Sequence, residues 1–178
     1  MRSLAERRWR DLTSALTTMP DARAWVRCAC VYAVFLGLAM PIGLMSGLVR
    51  PGWPHAGTAE LATGVALVFI HPALVEELVF RGLLLPRDPR SMRRGPLAAL
   101  TLVALAVYVA SHPLNALLVR PSAAHVFGSP AYLTMAALLG AACTASYWFS
   151  RSLWPSILIH WLTVAAWLWL LGGSAVLC

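Results

Sequence analysis

The sequence predicts an all-α membrane protein: a polytopic bundle of about five transmembrane helices with its N-terminus on the cytoplasmic side. Three observations lead there. Hydrophobic residues make up 60% of the 178 residues and charged ones only 12%, with a mean hydropathy of +0.71. A water-soluble domain of this size has no interior large enough to hide that much apolar surface. The apolar residues gather into runs of spanning length, and the cations flank those runs instead of spreading along the chain.

The runs cover about 25–49, 59–85, 97–119, 130–150 and 156–177, separated by loop chemistry: Arg50-Pro51-Gly52-Trp53-Pro54, Pro86-Arg87-Asp88-Pro89-Arg90, Arg120-Pro121-Ser122 and Arg151-Ser152-Leu153-Trp154-Pro155. Residues 1–24 form a basic N-terminal segment ahead of a membrane domain over 25–178. Within it, residues 4–19 read either as an amphipathic helix lying on the membrane surface or as a disordered basic tail. The first apolar run exceeds the length of a signal-peptide core and is expected to be a retained helix. The fourth and fifth runs, joined by very few residues, are expected to be antiparallel neighbours. Trp154, Trp161, Trp167 and Trp169 crowd the last run, where interface anchors are expected among them.

All the basic residues are Arg, and they orient the chain. With the N-terminus inside, the inner segments hold Arg2, Arg7, Arg8, Arg10, Arg23, Arg27, Arg87, Arg90, Arg93, Arg94 and Arg151, and the outer ones only Arg50 and Arg120. Arginines that flank apolar runs are explained by topology, which argues against nucleic-acid binding. Cys28, Cys30, Cys143 and Cys178 lack zinc-ribbon spacing and read as small apolar residues instead of a disulfide framework.

The second run carries Glu76, Glu77 and Arg81 at bilayer depth. A charge near the middle of a membrane helix costs about 3 kcal/mol to insert, so three cost roughly 9. The span's Leu, Ile, Val and Phe return only roughly 6 kcal/mol. These charges must therefore be paired, protonated or set against a wet cavity. Glu77 and Arg81, four residues apart, pair on one helix face. Glu76 is turned away by about 100° and must face something else. A carboxylate with no fixed cation suits proton transfer. His112 in the third run and His160 in the fifth complete a set that can activate water, by base catalysis or on a metal. A lone histidine in a membrane helix also serves as a helix–helix hydrogen-bond partner, but a second glutamate beside an already complete ion pair has no such structural return. His71, beside Pro72, reads as a kink-associated polar group, and His55 and His125 as solvated loop residues.

The segment Val75-Glu76-Glu77-Leu78-Val79-Phe80-Arg81-Gly82 resembles the EExxxR motif of the CPBP family of intramembrane proteases, the CAAX-protease and bacteriocin-processing group. Tyr108-x-x-x-His112 resembles its FxxxH motif with Tyr for Phe, and His160-Trp-Leu-Thr-Val164 its HxxxN/D motif with Val in the last place. The resemblance covers about residues 59–170 and implies a glutamic-type endopeptidase acting on a membrane protein or peptide. Glu76 and His112 would activate water, Glu77 and Arg81 would support them, and His160 would stabilise the oxyanion. It implies no cofactor; a zinc ion on Glu76, His112 and His160 is the alternative. Val164 removes one expected donor, and Asn115 or Thr163, each three residues past a histidine, is expected to compensate, Asn115 first.

Counted at ~1.5 Å per residue, Glu76, His112 and His160 lie about 14, 22 and 6 Å from the inner ends of their runs. A shared centre then requires displaced span ends or a helix break at Pro113. The short Ala/Leu-rich, Arg-only chain suggests a bacterial inner-membrane protein that trims C-terminal sorting tails or bacteriocin-type precursors. The other functions in view are a non-catalytic immunity or scaffold protein of the same fold and a small proton-relay transporter.

Overall fold

The computed structural model describes residues 4–52 and 57–177; Arg2, Trp53, Pro54, His55 and Cys178 lie outside the described residues. The described chain is helical: α1 (Leu4–Thr17), α2 (Ala22–Ser46), α3 (Thr58–Leu83), α4 (Arg94–Val119), α5 (Ala124–Phe127), α6 (Pro130–Ser150), α7 (Trp154–Leu170) and α8 (Gly173–Leu177). Four of these, α2, α3, α4 and α6, are long and apolar enough to cross a membrane. The fifth apolar helix, α7, has 17 residues. The expected last run over 156–177 is broken at Leu171–Gly172, where Gly172 takes a φ of +76° that side chains rarely adopt.

Local chemistry sets these boundaries. Asp21 caps α2 by accepting the Ala24 N–H at 2.7 Å, and Gly47 at φ 72° ends it. Ser129 caps α6 ahead of Pro130, the favoured first helical residue. Outward faces stay apolar: Val34, Leu38, Leu102, Val107, Leu117 and Leu118 are all exposed on the bundle surface. Such residues face lipid, and the chain is an integral membrane protein.

The most interior helix is α6, packed against α2, α4 and α7. It reads Gly140-Ala-Ala-Cys-Thr-Ala-Ser146, the small-residue face that lets membrane helices approach closely. As expected from the short connection at 151–153, α6 and α7 are neighbours. One apolar cluster joins Phe35 and Ala39 of α2 to Leu139 and Ala142 of α6 and Ile159 of α7. A second, at the opposite end from Arg50 and Arg120, joins Leu12, Ala15, Leu85, Ala104, Tyr147, Leu153 and Ile157.

That second cluster settles where α1 lies. The segment is a helix, and its apolar stripe is spent on the protein: Ala15 is fully buried, the Leu153 N–H donates to the Ala15 carbonyl at 3.1 Å, and Leu12 fills the space left by Gly82. Trp9, Arg7 and Arg10 remain exposed. Three tryptophans likewise act inside the bundle. The indole N–H of Trp154 donates to the Leu16 carbonyl, that of Trp161 to Val65 and that of Trp167 to Leu48, at 2.9, 2.8 and 2.7 Å. A partly buried indole N–H needs an acceptor, and the nearest are carbonyls of neighbouring segments. They staple α7 to α1, α3 and the loop after α2.

A break at Pro113, one of the two ways to a shared centre, does not occur, but the kink expected beside Pro72 does. α4 runs unbroken through Pro113, whereas α3 is interrupted at His71, whose φ −137° and ψ 118° are not helical, with wide turns over Phe69–Leu74 and Leu78–Leu83. Depth counted from span ends failed because the ends are not level: α4 has 26 residues and α7 only 17.

At the α4–α6 crossing, a Cβ on Gly140 would stand 2.6 Å from Leu105 Cδ1 and 2.9 Å from the Tyr108 ring. Gly140→Leu is therefore expected to lower the unfolding free energy by about 1–3 kcal/mol, measured by denaturant titration of the detergent-solubilised protein.

Candidate functional site

Glu76 and Glu77 sit in the short regular turn between the two wide turns of α3. Their environments differ as helical rotation demands. Glu77 is completely buried, and its Oε1 accepts from two donors: Arg81 Nη1 at 2.9 Å and His160 Nδ1 at 2.9 Å. Arg81, also buried, donates its Nη2 to the Gly140 carbonyl at 2.8 Å and lays its guanidinium over the Tyr108 ring, 4.6 Å from the centroid. One carboxylate oxygen and one guanidinium thus connect α3, α4, α6 and α7. The expected Glu77–Arg81 pair is present, and the structure adds His160 as a third member.

Glu76 faces a cavity of about 680 Å³. Its Oε2 has no hydrogen-bond partner among the described residues and lies 3.9 Å from His160 Nε2, beyond direct hydrogen-bond range. His112 lines the same cavity. Its Nδ1 lies 2.9 Å from the Tyr108 carbonyl, which can only accept, so Nδ1 carries the hydrogen and the neutral ring keeps its lone pair on Nε2. His160 is oriented in the same way by the Glu77 carboxylate, leaving Nε2 toward Glu76.

The structure therefore brings Glu76, His112 and His160 to one cavity, along with His71, Asn115, Thr163 and Val164. Thr163 directs its hydroxyl to the Ile159 carbonyl at 2.7 Å, within its own helix. Asn115 is exposed at the cavity wall. The remaining wall is apolar and aromatic, including Phe35, Leu36 and Met40 of α2, Tyr132 and Met135 of α6, and Trp167 of α7. It runs away from the glutamates toward Val49, Arg120 and Leu171, while the Leu85–Tyr147–Leu153 cluster closes the other end. Sequence reasoning did not single out Tyr132, whose ring meets His112 edge-on at 5.6 Å, or Gly140, the acceptor of Arg81. A lone aromatic in the first turn of an Ala/Leu-rich span and a small-residue face were the signals available.

A metal is a poor match for these donors. Among the described residues, Glu77, Cys143 and His160 bring ligand atoms within 4.8 Å of one another. There Glu77 Oε1 already accepts from Arg81 and His160, its Oε2 alone is without a partner among the described residues, and the fixed guanidinium opposes a divalent cation. Glu76, His112 and His160 do not form such a group. Cys28, Cys30 and Cys143 are free thiols.

The two glutamates are expected to separate in a stability measurement. Glu77→Ala leaves a buried guanidinium unpaired and should cost about 3–5 kcal/mol, whereas Glu76→Ala, at the cavity wall, should stay within about 1 kcal/mol of wild type. Unfolding in mixed detergent micelles reads both.

No curated protein and no solved structure matches the chain. A family model does: "Type II CAAX prenyl endopeptidase Rce1-like" matches residues 58–166, more than half of the sequence and every residue of the Glu–His–Arg cluster. The chain belongs to this family of membrane proteases.

Proposed function

We propose that the protein is an intramembrane endopeptidase that hydrolyses a peptide bond of a membrane-embedded or membrane-proximal segment with water activated by Glu76 and His112. The observation that carries this reading is the shared cavity, in which Glu76 and both histidines meet within an apolar wall. Glu76, with a free carboxylate oxygen, takes the proton of the attacking water while His112 Nε2 orients it. The hydroxide adds to the scissile carbonyl carbon. His160 would donate from Nε2 to the negative oxygen only in its doubly protonated form, whose charge the Glu77 carboxylate would balance from the far side. Collapse breaks the C–N bond, and the proton held by Glu76 passes to the leaving nitrogen. Each step uses side chains alone, with no metal or cofactor.

The substrate enters from the Arg120 end of the cavity. Under the positive-inside rule that end is the outer one. The outer end suits apolar C-terminal sorting tails of surface proteins, or bacteriocin-type precursors, at a bacterial cytoplasmic membrane. A proton-relay transporter would need a polar path across the bundle, and the apolar cluster around Leu153 interrupts one. Val164, which offers the cavity no hydrogen-bonding group, favours the non-catalytic immunity or scaffold reading.

Cleavage decides between them. Two probes are used: single-span reporters ending in apolar tails, coexpressed with the protein, and an internally quenched prenylated CAAX peptide given to solubilised protein. Wild type is expected to cut at least one, and Glu76→Ala and His112→Ala to lose at least about 10²-fold in rate. Undiminished cleavage by Glu76→Ala would sink the glutamate mechanism, and no cleavage by wild type would leave the scaffold reading. Topology is tested in a cysteine-free background: Arg120→Cys should react with an impermeant maleimide in intact cells, and Arg90→Cys only after permeabilisation.

A further inference from the structure

Tyr108 stands where the resembling motif has phenylalanine, and the difference is one hydroxyl group. The residue is 1% exposed. Its hydroxyl is buried with no hydrogen-bond partner among the described residues, yet the side chain lines the cavity shared by Glu76, His112 and His160. A buried hydroxyl without a partner is a net cost that phenylalanine would not carry. The cation–π and edge contacts of this ring are made by ring atoms, which phenylalanine also has. Arg81 covers one face at 4.6 Å. Phe80, His112 and His160 stand nearly perpendicular at centroid distances of 5.1, 4.9 and 6.2 Å, and Gly140 makes room for the ring edge.

The cavity meanwhile lacks a donor. Val164, one turn past His160, has none to give; Thr163 is engaged with the Ile159 carbonyl; Asn115 is exposed and must be ordered before it can serve. A donor to developing charge is most effective when it is already fixed and shielded from water. Of these groups, the Tyr108 hydroxyl alone meets both conditions. We infer that Tyr108 donates a hydrogen bond to the oxyanion of the tetrahedral intermediate, beside His160, and so replaces the donor that Val164 does not provide. The O–H bond stays intact throughout. This inference rests on the endopeptidase reading above.

Tyr108→Phe keeps the ring and its cation–π and edge contacts and removes only the hydroxyl. On whichever of the two probes wild type cuts, kcat is expected to fall about 10²-fold with KM within twofold and the pH–rate profile unmoved. The thermal midpoint should be equal to wild type or higher. Restoring an amide in Tyr108→Phe/Val164→Asn is expected to recover at least tenfold of the loss. Full kcat in Tyr108→Phe overturns the inference and leaves the endopeptidase reading intact if Glu76→Ala is inactive. A fallen midpoint would mean a structural role, and a displaced acidic limb would mean that Tyr108 positions Glu76; either result also overturns it. If wild type cuts neither probe, the endopeptidase reading itself has failed, and this inference with it.

Discussion

Everything in this bundle that bears on chemistry hangs from one carboxylate oxygen. Glu77 Oε1 accepts from Arg81 of its own helix and from His160 of α7, and Arg81 reaches on to the Gly140 carbonyl of α6 and the Tyr108 ring of α4. In a bilayer there is little hydrophobic drive to hold helices together, so polar contacts and close packing decide the arrangement. A buried ion pair adds little stability over an apolar substitute, but one with three fixed partners admits few alternative geometries. The cost of burying these charges is thus converted into the relative positions of four helices, and those positions bring Glu76, His112 and His160 to one wall.

The two ends of the molecule are built differently. At one end, α1, the α3 terminus and the start of α7 interlock through Leu12, Leu85, Leu153 and backbone hydrogen bonds. At the other, aromatic side chains such as Phe127, Tyr132 and Trp167 line the cavity. The closed end keeps water from the Glu77–Arg81 pair, where screening would loosen it. The open end is continuous with the cavity that Glu76 lines. A charged cluster close to a cavity and yet fully shielded is possible because helical rotation sends adjacent glutamates in different directions.

Much of this was legible in the sequence, for identifiable reasons. The spans follow from apolar run length, and the Glu77–Arg81 pair from four-residue spacing, because both are local properties. His160 as a ligand of Glu77 was not legible, since the contact joins residues far apart in the chain and depends on how α7 packs. The kink at His71 was legible from Pro72 beside it, but whether Pro113 would also break its helix was not: α4 accommodates that proline without interruption. The tryptophans of α7 suggested interfacial anchors by composition, and only the packing reveals that the N–H groups of Trp154, Trp161 and Trp167 bond to neighbouring segments. The basic charge of residues 4–19 was plain, but the partner of their apolar stripe was not.

The junction of α1 with α7 has a consequence for biosynthesis. The Leu153 amide and Trp154 indole reach back to the carbonyls of Ala15 and Leu16, so α1 is locked by a helix that leaves the ribosome well after it. His160 arrives on that same late helix. Until α7 inserts, Glu77 lacks its histidine, the cavity lacks a wall, and the end beneath Arg81 is open. A chain synthesised only as far as α6 therefore holds its acidic pair in the membrane without the histidine that completes the cluster.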